Sequence, residues 1–367
     1  MTESRVKKFA ELLVNYSIGV KPGDWVWVRS STIAEPLAKE VVEAIWAAGG
    51  TTTLTMSSDG ILEAIYRVAS NEQLEWISPV DKVLFDEADA LIALNAPSNS
   101  RNLSNIPPEK QQVAQIARRE LTETYMRRSA EGSLRWVTTN YPCASYAQEA
   151  DMSLYEYENF VYGATFVDKD DPIAEWRKVH DMQQKLVDWL AGKKQIEIRG
   201  KYAELSLSIE GRPFINSDGK KNMPSGEIFT SPVEDSVNGW VDFTYPAIRG
   251  GREVEGVRLE FKDGKVVKAT AEKNEEYLIS QLDSDDGARI LGEWAIGTNY
   301  GIQQFTKSIL YDEKIGGTMH MAVGAGYPET NSQNKSAIHW DFICDMREDS
   351  EILVDGELFY KNGEFQV

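Results

Sequence analysis

The sequence predicts an α/β domain on a parallel sheet followed by a β-rich α+β domain, and three observations carry that prediction. Strand-like and helix-like segments alternate through the first half, the pattern of parallel sheets. From Gln195 onward the apolar period shortens to two, with Gly and Asp at the turns. The 367 residues also exceed what one hydrophobic core ordinarily serves. The expected division is 1–165 for an α/β scaffold and lid, and 166–367 for the β-rich part, with a helical connector at about 173–190.

In chain order, Val6, Phe9, Leu13 and Tyr16 recur at helical spacing, with Leu12 widening the stripe, so residues 5–18 read as a helix. Pro22-Gly23-Asp24 turns the chain into the strand Trp25-Val26-Trp27-Val28. A helix follows from Glu35 to Ala48, with Leu37, Val41 and Ile45 on one stripe and Gly49-Gly50 as its stop. Thr51 to Met56 is a β-branched strand, which closes a strand–helix–strand unit. Ala90 to Leu94 is wholly apolar, as a strand buried on both faces must be. Pro107 to about Arg128 reads as one polar helix and Leu134 to Thr138 as another strand. No glycine-rich phosphate loop follows any of these strands, so nucleotide binding gains no support. His180 lies on the connector helix among Trp176, Val179 and Met182, and a lone helical histidine of this kind reads as structural.

In the second half, 195–199 and 203–209 alternate strictly, and Arg258–Phe261 leads through Asp263-Gly264 into Lys265–Val267 as a hairpin. The formal charge of −19 excludes a nucleic-acid surface, which needs clustered Lys and Arg. Cys143 and Cys344 are too few for a disulfide framework. Neither a signal peptide nor a membrane span of roughly 20 apolar residues is legible, and the expected compartment is the cytoplasm.

Chemistry is most legible in Ile338-His339-Trp340-Asp341-Phe342. Side chains alternate along a strand, so His339 and Asp341 share one face while Ile338, Trp340 and Phe342 share the other. Burying such a pair costs several kcal/mol unless something compensates the charge, and a divalent cation does. Three further segments do not read as packing sequence. In the first, Pro224, Ser225 and Gly226 fix the backbone before Glu227; in the second, Gly292 precedes Glu293 among apolar neighbours. The third, Gly316-Gly317-Thr318-Met319-His320, is followed by Tyr327. Three carboxylates and two imidazoles are enough donors for two ions with one bridging ligand. Mixed oxygen and nitrogen donors suit zinc, cobalt or manganese.

The segments 222–227, 291–293, 312–320 and 336–341 resemble, in order and in combination, the M29 metallo-aminopeptidases of the thermophilic type. The resemblance implies that Glu227, Glu293, His320, His339 and Asp341 are the metal ligands, with Tyr327 as a catalytic tyrosine. It also implies a homodimer whose enclosed cavity admits short peptides. Glu293 bridging the ions, or acting on the water while ligated, is the expected second catalytic group, and no general base is assigned. The alternative is a mononuclear non-haem iron dioxygenase of the ring-cleaving, dihydroxypyridine type, which resembles the same fold. His320, His339 and Asp341 alone would satisfy it, but it has no use for Glu227 and Glu293.

Overall fold

The computed structural model describes residues 2–367, and the chain separates into two compact units. One runs to Ile173 and also takes Gly219–Pro224; the other comprises Ala174–Asp218 and Ser225–Val367. The division therefore falls later than the 165/166 boundary expected above, and the first unit is not one continuous stretch.

In the first unit five parallel strands lie in the order Thr51–Ser57, Trp25–Ser31, Ala90–Asn95, Arg135–Asn140, Asn222–Met223. Ala90 to Leu94 is buried throughout, as its unbroken apolar run requires. The helix Glu35–Ala47 buries Leu37, Val41 and Ile45 completely. The first helix, Thr2–Leu12, continues as a π-helical turn, Leu13–Ile18, and stops at Gly19 in the left-handed region.

Residues 59–87, to which the sequence reading assigns no element, form three helices: Asp59–Val68, Asn71–Leu74 and Pro79–Glu87. Their starts carry ordinary signals. Ser70 and Gln73 form a capping box, and the Ser78 hydroxyl accepts from the Val80 amide. The single helix expected from Pro107 to Arg128 is in fact two, Pro108–Ala117 and Arg119–Ala130, broken at Arg118 where ψ is 1°. Different partners explain the break, since the first packs on Asn71–Leu74 and the second on Pro79–Glu87. The second is also pinned by buried Arg128, whose guanidinium donates to the carbonyls of Phe85 and Ser133.

The second unit contains most of the helix Pro172–Leu190 and two antiparallel sheets. The larger sheet has eight strands, and its hairpin Arg258–Lys262/Lys265–Thr270 turns through Asp263 and Gly264, both at positive φ. A two-residue turn matched to the strand twist needs that conformation at both positions. The smaller sheet runs His339–Asp345, Thr318–Gly324, Leu291–Gly297, Glu227–Thr230, Ile215–Ser217.

One face of this smaller sheet supplies Ile228, Trp294, Ile296, Met319, Met321, Val323, Trp340 and Phe342 to a core shared with the larger sheet. Full burial contributes about 1.5–3 kcal/mol per large apolar side chain. That sum fixes the register, because a slip of one residue would turn this whole set outward. The opposite face is thereby committed, and it is the face that carries the donors.

Candidate metal centre

Register places the donors around small residues. Glu293 and Asp341 flank Ala322 across three strands, Glu227 faces Gly297, His320 faces Ala295, and His339 faces Gly324. Alanine and glycine leave space over the sheet that larger residues would fill.

Local backbone devices aim the acids. A β-bulge lies between Leu291 and Glu293, so two residues that would otherwise share a face point opposite ways. Leu291 enters the core and Glu293 enters the site. The residue between them has to be glycine, because a Cβ on Gly292 would lie 2.3 Å from the Gly324 carbonyl oxygen. Ahead of Glu227, Gly226 has φ +112° and its Cβ would lie 2.6 Å from the Asn299 Cβ. The Asn299 amide nitrogen donates to the Ser225 carbonyl, which fixes the turn from the other side.

All five donors expected from the sequence come together. The Nε2 of His320 is 3.4 Å from Glu227 and 3.7 Å from Glu293. The Nε2 of His339 is 3.2 Å from Glu293 and 3.5 Å from Asp341. Glu293 thus reaches both imidazoles. The Nδ1 of His339 lies 2.7 Å from the Ala325 carbonyl, which can only accept, so Nδ1 carries the proton and Nε2 is the nitrogen that faces the acids. Tyr327 packs its ring edge-on against His339, with centroids 5.1 Å apart, and also against Phe229.

Two members of the cluster were not anticipated. Asp312-Glu313-Lys314 has the composition of a solvated turn, but Lys314 is fully buried and pairs with Glu313 while standing 3.7 Å from Glu227. Residues that could hold an ion form two groups, Glu293–His339–Asp341 and Glu313–His320–Asp341. Ligand atoms within each group lie within 4.8 Å of one another, and Asp341 belongs to both.

The electrostatics show a site with too much negative charge. Burial alone would lower the His320 pKa, but Glu293 and Glu227 push it up to about 9. His339 is likewise driven up to about 12 against its burial, chiefly by Asp341. Burial lifts Glu313 to about 7, with Lys314 opposing. Burial also raises the Tyr327 phenol, and the neighbouring carboxylates raise it further, so it stays protonated.

Within the cluster, three buried polar atoms have no hydrogen-bond partner: Glu227 Oε2, His320 Nδ1 and Asp341 Oδ1. Orphaned buried groups of this kind are costly and rare. With neutral imidazoles, Glu227, Glu293 and Asp341 outnumber the single lysine, and Glu313 adds to the excess when it ionises. The donor set therefore fits divalent cations.

Comparison with known proteins agrees with this chemistry. The sequence profile of the thermophilic metalloprotease (M29) family matches residues 2–365. Aminopeptidase 2 of Geobacillus stearothermophilus is 27% identical over 92% of this chain and 87% of its own length. Aminopeptidase T of Thermus thermophilus is 26% identical over 98% of this chain and 95% of its own. Among solved structures, wild-type AmpT from Thermus thermophilus superposes over the whole of both chains with a TM-score of 0.87 at 23% identity. The 2,5-dihydroxypyridine dioxygenase of Pseudomonas putida KT2440 shares the fold more distantly, with a TM-score of 0.60 at 13% identity over the whole of this chain and 98% of its own.

Proposed function

Because the chain belongs to the thermophilic metalloprotease family M29, we propose that it is a metal-dependent aminopeptidase that removes N-terminal residues from short peptides. Two divalent ions, zinc, cobalt or manganese, would be held by Glu227, Glu293, His320, His339 and Asp341. The single observation that carries this reading is the set of Glu227, Glu293 and Asp341 oxygens within 3.7 Å of the Nε2 atoms of His320 and His339, with Glu227 Oε2 and Asp341 Oδ1 orphaned.

Bound divalent ions lower the pKa of water toward neutrality and polarise a carbonyl. The chain's own groups do the rest. Glu293, within reach of both imidazoles, would help to hold both ions. The Tyr327 phenol, kept protonated by its acidic surroundings, donates to the oxyanion that develops on the scissile carbonyl. Glu313, titrating near 7, accepts the proton of the attacking water and delivers it to the leaving amine. Lys314 holds Glu313 and Glu227 in place.

The dioxygenase reading is weaker, since Glu227 and Glu293 stand among the histidines as additional buried acids that a two-histidine, one-carboxylate iron site does not require. The same proposal includes a cytoplasmic homodimer. No helix among the described residues is long and apolar enough to cross a membrane. The helix Asp59–Val68 leaves Ile61, Leu62, Ile65 and Val68 exposed, an apolar surface that a second copy would cover. Treatment with a chelator should abolish release of N-terminal residues from di- and tripeptides, and zinc, cobalt or manganese should restore it. Turnover that persists after complete metal removal would overturn the proposal.

A further inference from the structure

A cavity of about 240 Å³ opens beside the outer donors, with His339 and Asp341 in its wall. Ile248, Phe305 and Ile309 make part of the rest apolar, and three charged side chains also line it. Two of these have protein partners. Lys307 stands 3.5 Å from Glu253, and one Asp312 oxygen accepts from both the amide and the hydroxyl of Thr306.

Arg249 is different. Its Nε donates to Gln281 at 3.1 Å and one terminal nitrogen donates to the His339 carbonyl at 3.0 Å. Among the described residues no carboxylate pairs with it. The strands Ala247–Arg249 and Arg252–Val254 form the two-stranded hairpin that brings it there. The second of its two bonds ties the guanidinium to the backbone of a donor residue.

We propose that Arg249 binds a carboxylate of the peptide substrate in this cavity, and that the apolar wall takes the hydrocarbon part of the residue bearing it. This deepens the aminopeptidase reading and rests on it. In the wall of this cavity Arg249 is the cation that no carboxylate of the chain already occupies, so its position decides where a substrate carboxylate can sit. The planar fork of arginine suits a carboxylate better than a point charge would. The carboxylate has two sources: the C-terminus of a dipeptide, or an acidic side chain on the residue released.

Both arms can be read in one experiment on the metal-loaded protein. Leu-Leu is compared with Leu-Leu amide, and Glu-Leu amide with Gln-Leu amide, for the wild type, Arg249→Met and Arg249→Lys. The wild type should favour the carboxylate member of one pair by about ten- to hundredfold in kcat/KM, the worth of one hydrogen bond to a charged group. Arg249→Met should bring that ratio close to one through KM. Arg249→Lys should recover part of it, which loss of the His339 carbonyl bond alone would not produce.

Titration calorimetry with the same four peptides reads binding without turnover. Should nothing be cleaved, the aminopeptidase reading fails, yet a carboxylate preference that Arg249→Met removes still upholds this assignment. Equal treatment of both members in both pairs, or a preference unmoved in Arg249→Met, overturns it.

Discussion

The second unit contains two histidine–aspartate pairs with opposite meanings. His180 approaches Asp218 at 2.8 Å, with one acid for one imidazole. The ring is 37% exposed, and the Asn216 amide group donates to the His180 carbonyl. That pair is a single hydrogen bond at a partly exposed position. His339 approaches Asp341 at 3.5 Å, but Glu293 is closer still, and His320, Glu227 and Glu313 crowd the same face. Pairing of a histidine with an acid therefore identifies no site by itself. What marks the second region is a surplus of buried negative charge together with buried oxygens that have no partner.

The contrast can be broken most forcefully at Glu293, the acid shared by both imidazoles. Glu293→Gln should lower kcat by about a thousandfold or more, the scale of losing a group that acts only with the reacting centre. Asp218→Asn, measured beside it in steady-state assays, should change kcat less than twofold. Equal losses from the two would erase the distinction.

Next in size is Lys314, the fully buried lysine of the cluster. Lys314→Met leaves the buried acids facing one another, and removal of one partner from a buried ionic set typically costs about 3–5 kcal/mol. Urea unfolding of the chelated protein should show that loss, and divalent metal should recover much of it.

A smaller effect distinguishes the two regions by pH. In the metal-free protein His320 is raised to about 9 and His339 to about 12. A histidine with a raised folded pKa contributes stability that is fully present below about pH 6.5 and is lost as pH climbs through the folded value. Glu313, raised to about 7, acts with the same sign, because its neutral form is the one the fold favours. The melting temperature of chelated protein should therefore fall between pH 6.5 and 9. Metal-loaded protein should be flatter over that window, since coordination requires neutral imidazoles. A chelated protein that gains stability over the same interval would contradict the charge surplus.

Smallest is His180→Asn. A partly exposed pair contributes about 0–1 kcal/mol, so the melting curve should move little and peptide release should not change.

Much of the site is legible in the sequence. The face shared by His339 and Asp341 follows from alternation alone, and the core-facing Trp340 and Phe342 fix it. Glu227 and Glu293 were marked by the glycines before them, and both glycines prove sterically obligatory. The bulge that turns Glu293 away from the side of Leu291 was not legible, because it is a property of pairing with the next strand.

Glu313 and Lys314 were missed because Asp-Glu-Lys has the composition of a solvated turn. Their one local signal is the pair Tyr311 and Ile315, four apart and both fully buried. The helices of 59–87 were missed for a related reason. On Asp59–Val68 no residue is buried, and its apolar stripe faces outward, so the core gives no support to the periodicity.

The central claim is tested most directly by counting ions. Metal-depleted protein titrated with zinc or manganese, with bound metal quantified per chain, should take up two equivalents, and activity should reach its plateau only at the second. Glu227→Gln should reduce the count toward one. Full activity at a single equivalent, or a count that does not respond to Glu227→Gln, would contradict a paired-cation centre.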